Sequence, residues 1–408
     1  MNVVVVGAGI VGLCAAWHLV KRGAKVTLID REGPGRGCSF GNSGSLSSGS
    51  VAPLAMPGVV KSAPRMLLDP ASALRVAPGY WLKAAPWLAR FVAASRPARV
   101  EEISNALAAL LRPSIEHHAR VLREIEAMDL LRRDGQLVVY RNREQLAKDN
   151  AVWELRRRHG YEVRVIDRAG ILALEPAVGP AYTVGVYLPD QAMVANPYRY
   201  CEELARALAQ RGAEFLRDEV HAIEVGALGL RLSDRRIAAD NVVLAAGAWS
   251  ARLLRPLGLR IPLESQRGYH ITLKDTGVDI CRPVVPADRK VFIAQQETGL
   301  RVGGTVEFAG LEAPLNKARA DLLLDDLAAV FPQARLGGER SDWMGHRPCL
   351  PDSLPVIGES PAHRGLWLAF GHGHLGLTGA AVTGDVLARA MHGEPASLDL
   401  APFSAARF

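Results

Sequence analysis

Paired cysteines are missing from this chain. Its 408 residues include five cysteines, Cys14, Cys38, Cys201, Cys281 and Cys349, an odd number, scattered and never in a C-x-x-C pair. That argues against a disulfide framework and a structural zinc, and it fits a reducing compartment. Low-complexity tracts are missing as well, so 39 glycines and 25 prolines read as turns rather than disorder. Residues 1–20 carry no Asp, Glu, Lys or Arg, which invites a signal peptide or a membrane span. The basic n-region and cleavage site of an export signal are both lacking, so neither is expected. A long basic stripe interleaved with aromatics, the mark of a nucleic-acid groove, is lacking too, although the net charge is +7. Basic residues cluster only at Arg132-Arg133 and Arg156-Arg157-Arg158. They read as solvated helix faces, with weak attraction to anionic lipid as the alternative. His117-His118 and the pair His372 and His374 have no companion ligands, which leaves no metal site to expect.

What the chain has is an ordinary globular composition, 49% hydrophobic and 22% charged, and enough length for two domains. Its most informative stretch is the first thirty residues. Val3-Val4-Val5-Val6 reads as a strand buried on both faces. Gly7-Ala8-Gly9-Ile10-Val11-Gly12 follows at once, then a helix ending at Gly23 and a second strand closing on Asp30. A G-x-G-x-x-G is weak alone, but strand, helix and acid around it are the context of a dinucleotide site. Gly7 permits the tight turn, Gly9 lets backbone approach a pyrophosphate, and Gly12 lets helix and strand pack closely. The helix N-terminus offers N–H groups and positive dipole to the phosphates, and Asp30 can accept from a ribose hydroxyl. The competing reading is a Gly-rich turn in some other α/β protein. The whole context favours FAD or NAD.

After Asp30, residues 31–50 are dominated by Gly and Ser and read as a cofactor-lining loop, with a flexible linker as the alternative. Residues 51–100 are rich in Pro and apolar groups, including Pro57, Trp81, Pro86, Trp87 and Phe91. They read as short helices packed on a second domain, or else as a membrane-facing patch. Apolar spacing is helical over 101–128, with Pro113 marking a kink or break. Strands are expected at 136–140 and 183–188 with a polar helix between them. A helix follows over 198–210 behind Pro197, then a strand at 213–216 that looks like a return to the first domain. A hairpin over 220–232 and a buried strand at 241–245 run into Ala246-Gly247-Ala248-Trp249-Ser250, a small-residue turn where parallel sheets bind ligands. Residues 261–340 read as strands interrupted by one helix at 317–330. The last strand, 366–370, feeds a second G-x-G-x-x-G at 371–376 and a helix over 378–391. No strand and acid follow it, so this helix is expected to point its N-terminus at the same cofactor.

Taken together these motifs resemble the FAD-dependent D-amino-acid dehydrogenase branch of the D-amino-acid oxidase and glycine/sarcosine oxidase superfamily. The resemblance rests on GAGIVG with Asp30, SFGNSG at 39–44, VVLAAGAWS at 242–250, RGYH at 267–270, RVGGTVEF at 301–308, WMGHRPCLPDSLPVIG at 343–358 and GHGHLGLT at 371–378. It covers nearly the whole chain. Asp30 stands where many relatives carry Glu, a change that should be tolerated. The resemblance implies an α/β fold, α+β overall, in which a Rossmann-like FAD-binding domain (1–60, 195–260 and 341–408) carries an inserted, mostly antiparallel-sheet substrate domain (61–194 and 261–340). It implies FAD held non-covalently, because no cysteine lies in a recognisable flavin-attachment motif. The cofactor residues it implies are Gly7, Gly9, Ile10, Val11, Gly12, Asp30, Arg31, Ser39, Asn42, Ser43, Gly44, Ser45, Val220, Ala246, Gly247, Trp249, Gly345, Gly371, Gly373, His374, Leu375, Gly376, Leu377 and Thr378.

On the substrate side the resemblance places Arg347 as the carboxylate-binding arginine, and a guanidinium suits that task. The alternative for Arg347 is a structural ion pair with an acid such as Asp352. Tyr269 could donate a second hydrogen bond to the carboxylate, or be an ordinary strand tyrosine, with His270 beside it. His372 and His374 are candidates near the flavin or the amine without an assigned catalytic role, and no essential acid–base side chain is expected. The implied reaction is oxidative deamination of D-amino acids in D-amino-acid catabolism, by hydride transfer from Cα to flavin N5, giving an imino acid. Cyclic substrates such as D-proline or hydroxy-D-proline are candidates. A quinone or other electron acceptor is expected, without nucleic acid, in a cytoplasmic protein with a peripheral contact on the inner face of the membrane and a partner subunit as further candidates. The nearest rival is a sarcosine- or glycine-type oxidase using oxygen. A tRNA-modifying flavoprotein would need an RNA-binding surface that the scattered basic residues do not supply. A scaffold holding FAD structurally would contain flavin that no amine reduces.

Overall fold

The computed structural model describes residues 1–58 and 74–408. A six-stranded sheet runs in the order Glu214–Arg217, Lys25–Asp30, Asn2–Val6, Asn241–Leu244, Leu366–Phe370, Val356–Glu359. All its pairings are parallel except the last. The β-branched run at 3–6 is buried on both faces as expected. Val3 and Val5 join the core around helix Ile10–Lys21, while Val4 and Val6 join a second core with Val242 and Leu244 on the opposite face. Helix Pro197–Gln210 is capped by Asn196, whose side-chain oxygen accepts from the Arg199 N–H. It returns the chain to the edge strand Glu214–Arg217, the return read from the sequence.

A second, nine-stranded and mostly antiparallel sheet carries Arg340–Cys349, Glu264–Leu273, Gly299–Phe308, Phe292–Gln296, Val284–Pro286, Gln136–Tyr140, Val184–Leu188 and Arg164–Asp167 in that order. The short strand Leu74–Val76 lies parallel to Gly299–Phe308. Helix Lys317–Val330 covers one face, burying Leu323 and Leu327 against Tyr269 and Ile271. The other face is turned toward the first sheet. This is the mixed α/β fold that the motifs imply.

The structure differs from the expected division at two places. Strand Arg340–Cys349 pairs along its whole length with Glu264–Leu273, so the expected boundary at 341 falls inside the larger sheet. Helices Pro97–Leu111 and Ser114–Glu124, counted with 61–194, bury Leu107, Leu110, Val121 and Leu122 in the same core as Leu13, Trp17 and Ala380. Their apolar stripe was visible in the sequence, but the surface it covers was not. Pro113 separates the two helices. In place of one polar helix between the strands at 136–140 and 184–188 there are three short ones, Arg143–Lys148, Asn150–Arg158 and Arg168–Leu174. The hairpin after residue 220 gains a third strand, Arg236–Ala238. Of the 51–100 stretch, residues 59–73 lie outside the described residues, and Trp81–Ala94 is a helix. Among the described residues no helix is long and apolar enough to cross a membrane.

Candidate cofactor and substrate site

The turn after the first strand is built by two close approaches. Gly7 has φ +103°, and a Cβ there would lie 2.5 Å from the Ala245 carbonyl oxygen. A Cβ on Gly12 would lie 2.0 Å from the Gly7 oxygen, so helix and strand meet backbone to backbone. The Ile10 N–H donates to Ser39 Oγ at 2.9 Å, which ties the Gly/Ser-rich loop to the helix N-terminus. Asp30 is held by three backbone N–H groups, Ala8 on Oδ2 and Glu32 and Gly33 on Oδ1. A carboxylate offers about four acceptor positions, so one remains for an incoming hydroxyl. Arg31 lies over the Trp249 ring with its Cζ 4.0 Å from the centroid.

The Gly/Ser-rich loop is then fastened to the larger sheet through its carbonyls. Gly41 O accepts from His270 Nδ1 at 3.0 Å. Asn42 O accepts from Arg301 Nη1 at 2.7 Å and from Gln296 Nε2 at 3.2 Å. Thr378 Oγ1 donates to Ser45 O and accepts from the Ser47 N–H, joining the loop to helix Gly376–Met391. That helix start is braced in turn by His118, which spans Tyr200 Oη (3.0 Å) and Leu377 O (2.7 Å). Burial lowers the Arg301 pKa to about 10, and its hydrogen bonds go to Thr272 Oγ1 and the loop carbonyls of Phe40 and Asn42.

Between the two sheets lies a cavity of about 700 Å³. Every residue expected to hold the cofactor lines it except Gly12 and Gly44. Gly12 is spent on the helix–strand contact. Gly44 packs on Val194, where a Cβ would meet the Val194 oxygen at 2.3 Å, and its N–H donates to Asn42 Oδ1. Both shape the cradle without facing its interior.

Arg347 stands in the cavity wall on the edge strand of the larger sheet. Its Nη1 donates to Thr305 O at 2.8 Å and its Nη2 to Gly304 O at 3.4 Å. Gly268 on the neighbouring strand leaves room for the guanidinium, since a Cβ there would fall 2.2 Å from Arg347 Cζ. The ion pair with Asp352 is not formed. Asp352 instead binds Arg407 at 2.9 Å and Arg99 at 3.5 Å. Among the described residues Arg347 has no carboxylate partner, and burial pulls its pKa below the ordinary value. A half-buried cation whose hydrogen bonds go to carbonyls favours an anion beside it.

Tyr269 borders the cavity, but its hydroxyl is turned away from it, the second of the two readings for this residue. Its hydroxyl is 2.5 Å from Glu307 Oε2, in a buried cluster with Arg267, whose Nη1 lies 3.3 Å from the same oxygen. Arg347 is registered opposite Gln266, so strand alternation sends Tyr269 to the other face, under helix Lys317–Val330. His270 does face the cavity, but its ring stacks on Trp343 (centroids 5.0 Å) and its Nδ1–H holds Gly41 O. His372 Nε2 turns to Thr383 Oγ1 at 2.9 Å. His374 also lines the cavity and is the most exposed of these histidines, and desolvation with the nearby Arg347 charge lowers its pKa to about 4. Sequence reasoning missed Arg301, Trp343, Phe292, Val285 and His118. A lone charge inside the apolar run Leu300 to Val302 was the one signal available for Arg301.

Three buried histidines, His118, His270 and His372, have pKa values lowered by burial to about 4, about 3 and about 4, from 6.5. The unfolded chain binds protons that the folded one refuses, so their contribution is complete above pH 6.5 and is lost as pH falls toward 4. Each contributes a slope of at most about 1.4 kcal/mol per pH unit. The urea midpoint should therefore fall between about pH 7 and about pH 5. A midpoint that holds or rises would show that these rings are not buried neutral.

The match to the DAO family of FAD-dependent oxidoreductases spans residues 2–390. The chain belongs to this family. A relative named D-amino-acid oxidase, from Bradyrhizobium diazoefficiens, is 36% identical over 423 residues, covering 100% of this chain and 99% of the relative. One named D-amino acid dehydrogenase 2, from Ralstonia nicotianae, is 36% identical and is covered over its full length. Among solved structures, glycine oxidase from Geobacillus kaustophilus superposes with TM-score 0.77 at 22% identity, over 100% of this chain and 98% of that one. L-proline dehydrogenase from P. horikoshii superposes with TM-score 0.76 at 18% identity over 100% and 97%. These two share the fold. As a DAO-family member the protein is an FAD-dependent oxidoreductase, and its residues fit the cofactor. Gly7 and Gly9 leave backbone room along the cavity wall, helices Ile10–Lys21 and Gly376–Met391 both begin on it, and Asp30 keeps an acceptor free.

Proposed function

We propose that this DAO-family protein oxidises D-amino acids at Cα, cyclic ones such as D-proline or hydroxy-D-proline among them, to the imino acid. The observation that carries this reading is Arg347, a cavity-wall guanidinium held by carbonyls and, among the described residues, without a carboxylate of its own. The names of the Bradyrhizobium and Ralstonia relatives support the amino-acid class. FAD, held non-covalently, supplies the hydride acceptor when bound. Arg347 grips the substrate carboxylate with two parallel hydrogen bonds and so fixes where Cα–H points. Thr305 O and Gly304 O keep the guanidinium from turning away. Neutral His374 accepts a hydrogen bond from the substrate amine without adding charge. The N–H groups at the start of helix Gly376–Met391 favour negative charge at that end of the cavity. No general acid or base is assigned.

We place the protein in the cytoplasm, with a peripheral membrane contact and a quinone as electron acceptor. An oxidase using oxygen is the second reading, favoured by the name of the Bradyrhizobium relative. An anaerobic titration with D-proline, followed in the visible flavin band, tests the first reading. Bleaching supports it. A band untouched by D-proline and by acyclic D-amino acids would overturn it. Oxygen uptake set against reduction of a quinone dye then decides between acceptors.

A further inference from the structure

Helix Trp81–Ala94 has two apolar faces, and only one is used. Ala84, Trp87 and Ala94 are buried, with Phe91 stacked on Trp87 at 5.2 Å. Trp87 Nε1 donates to Cys349 O at 3.2 Å, which fastens the helix to the strand that carries Arg347. On the opposite side Leu82 is 89% exposed, and Pro86, Ala89 and Ala93 follow it at helical spacing, all exposed. Trp81 and Val92 widen that face along one edge, at 44% and 45% exposure. Lys83 and Arg90 run along the other edge, and neither has a carboxylate partner among the described residues. Residues 77–100 contain four basic side chains and no acidic one.

We propose that this face is the protein's docking surface for an anionic lipid bilayer, an assignment that rests on the peripheral-membrane reading and names its surface. An exposed Leu and Trp flanked by cations that have no carboxylate partner among the described residues, Lys83 lying over the Tyr80 ring, is the arrangement that lies in the headgroup boundary. A second copy of the chain fits worse, because pairing this face with itself would bring like charges together without acids to offset them. Bound in this way, the protein rests on lipid beside the edge strand of its own cavity, within reach of a lipid-soluble acceptor.

The test is flotation of the flavin-loaded protein with phosphatidylglycerol/phosphatidylcholine vesicles and with phosphatidylcholine alone. The wild type should float only with the anionic vesicles, and less so at high salt. Leu82→Glu should lower the partition coefficient about tenfold or more, with the flavin spectrum unchanged. Lys83→Glu with Arg90→Glu should do the same without touching the apolar residues. Wild-type protein that never floats would overturn both the membrane reading and this surface. Leu82→Glu protein that floats like wild type would overturn the surface alone. A wild-type dimer by light scattering that Leu82→Glu dissociates would assign the face to a second copy instead.

Discussion

Replacing Arg347 by Met should lower kcat/KM for the amino-acid substrate by about a thousandfold, a loss of about 4 kcal/mol of transition-state binding. Among the described residues the guanidinium is the one cation of the cavity wall without a carboxylate partner, since Arg31 pairs with Glu32 and Arg252 with Glu312. In the proposed role, losing it removes two charge-assisted hydrogen bonds and the restraint that orients Cα–H. Arg347→Lys should recover only part, since an ammonium cannot hold both carboxylate oxygens in one plane. Thr305 O and Gly304 O would also lose their donors, so part of the loss will appear in stability. Flavin content should stay near wild type in both variants. Steady-state kinetics of flavin-replete Arg347→Met within tenfold of wild type would remove the carboxylate role.

Gly7→Ala should give protein without bound flavin, or none that is soluble. Two penalties add at this position. Positive φ of +103° strains any L side chain, and the new Cβ would meet the Ala245 carbonyl at 2.5 Å, backbone against backbone, so neither partner can yield. The Ala245 N–H is bonded to Val6 O, so a shift there opens the centre of the parallel sheet. Gly258→Ala is the matching control, with φ +81° and nothing within 4 Å of its Cβ. It should cost about 1 kcal/mol, the conformational share alone. Flavin absorbance at equal protein concentration reads the difference. Gly7→Ala protein with a full complement of flavin would mean that the turn has room the structure does not show.

The parts of the site legible in the sequence are those whose signal is local. Gly7, Gly12 and Asp30 announce themselves because strand, turn, helix and acid follow within one supersecondary unit. The helix after Gly376 is legible for the same reason, as is Asn196-Pro197 at a helix start. Tyr269 shows the limit. The strand at 269–273 was readable, but which face meets the cavity depends on where helix Lys317–Val330 lands, and no local pattern carries that. Arg301 lies in the RVGGTVEF stretch with no local sign of its role, since its carbonyl partners Phe40 and Asn42 lie 261 and 259 residues away in sequence. His118 looked like half of an unsupported metal pair and is a brace between Tyr200 and Leu377.

By itself, then, the chain's sequence determined the strand–turn–helix start of the cofactor cradle and most of the succession of strands and helices, because turn chemistry and hydrophobic period act over a few residues, while Arg347 was placed by the family resemblance. Only the tertiary structure decided that Arg347 is free of Asp352, that Tyr269 faces Glu307 and that Arg301 and His270 hold the loop. Those outcomes depend on which distant strands become neighbours and which face of the larger sheet a helix covers, and long-range packing alone makes that choice.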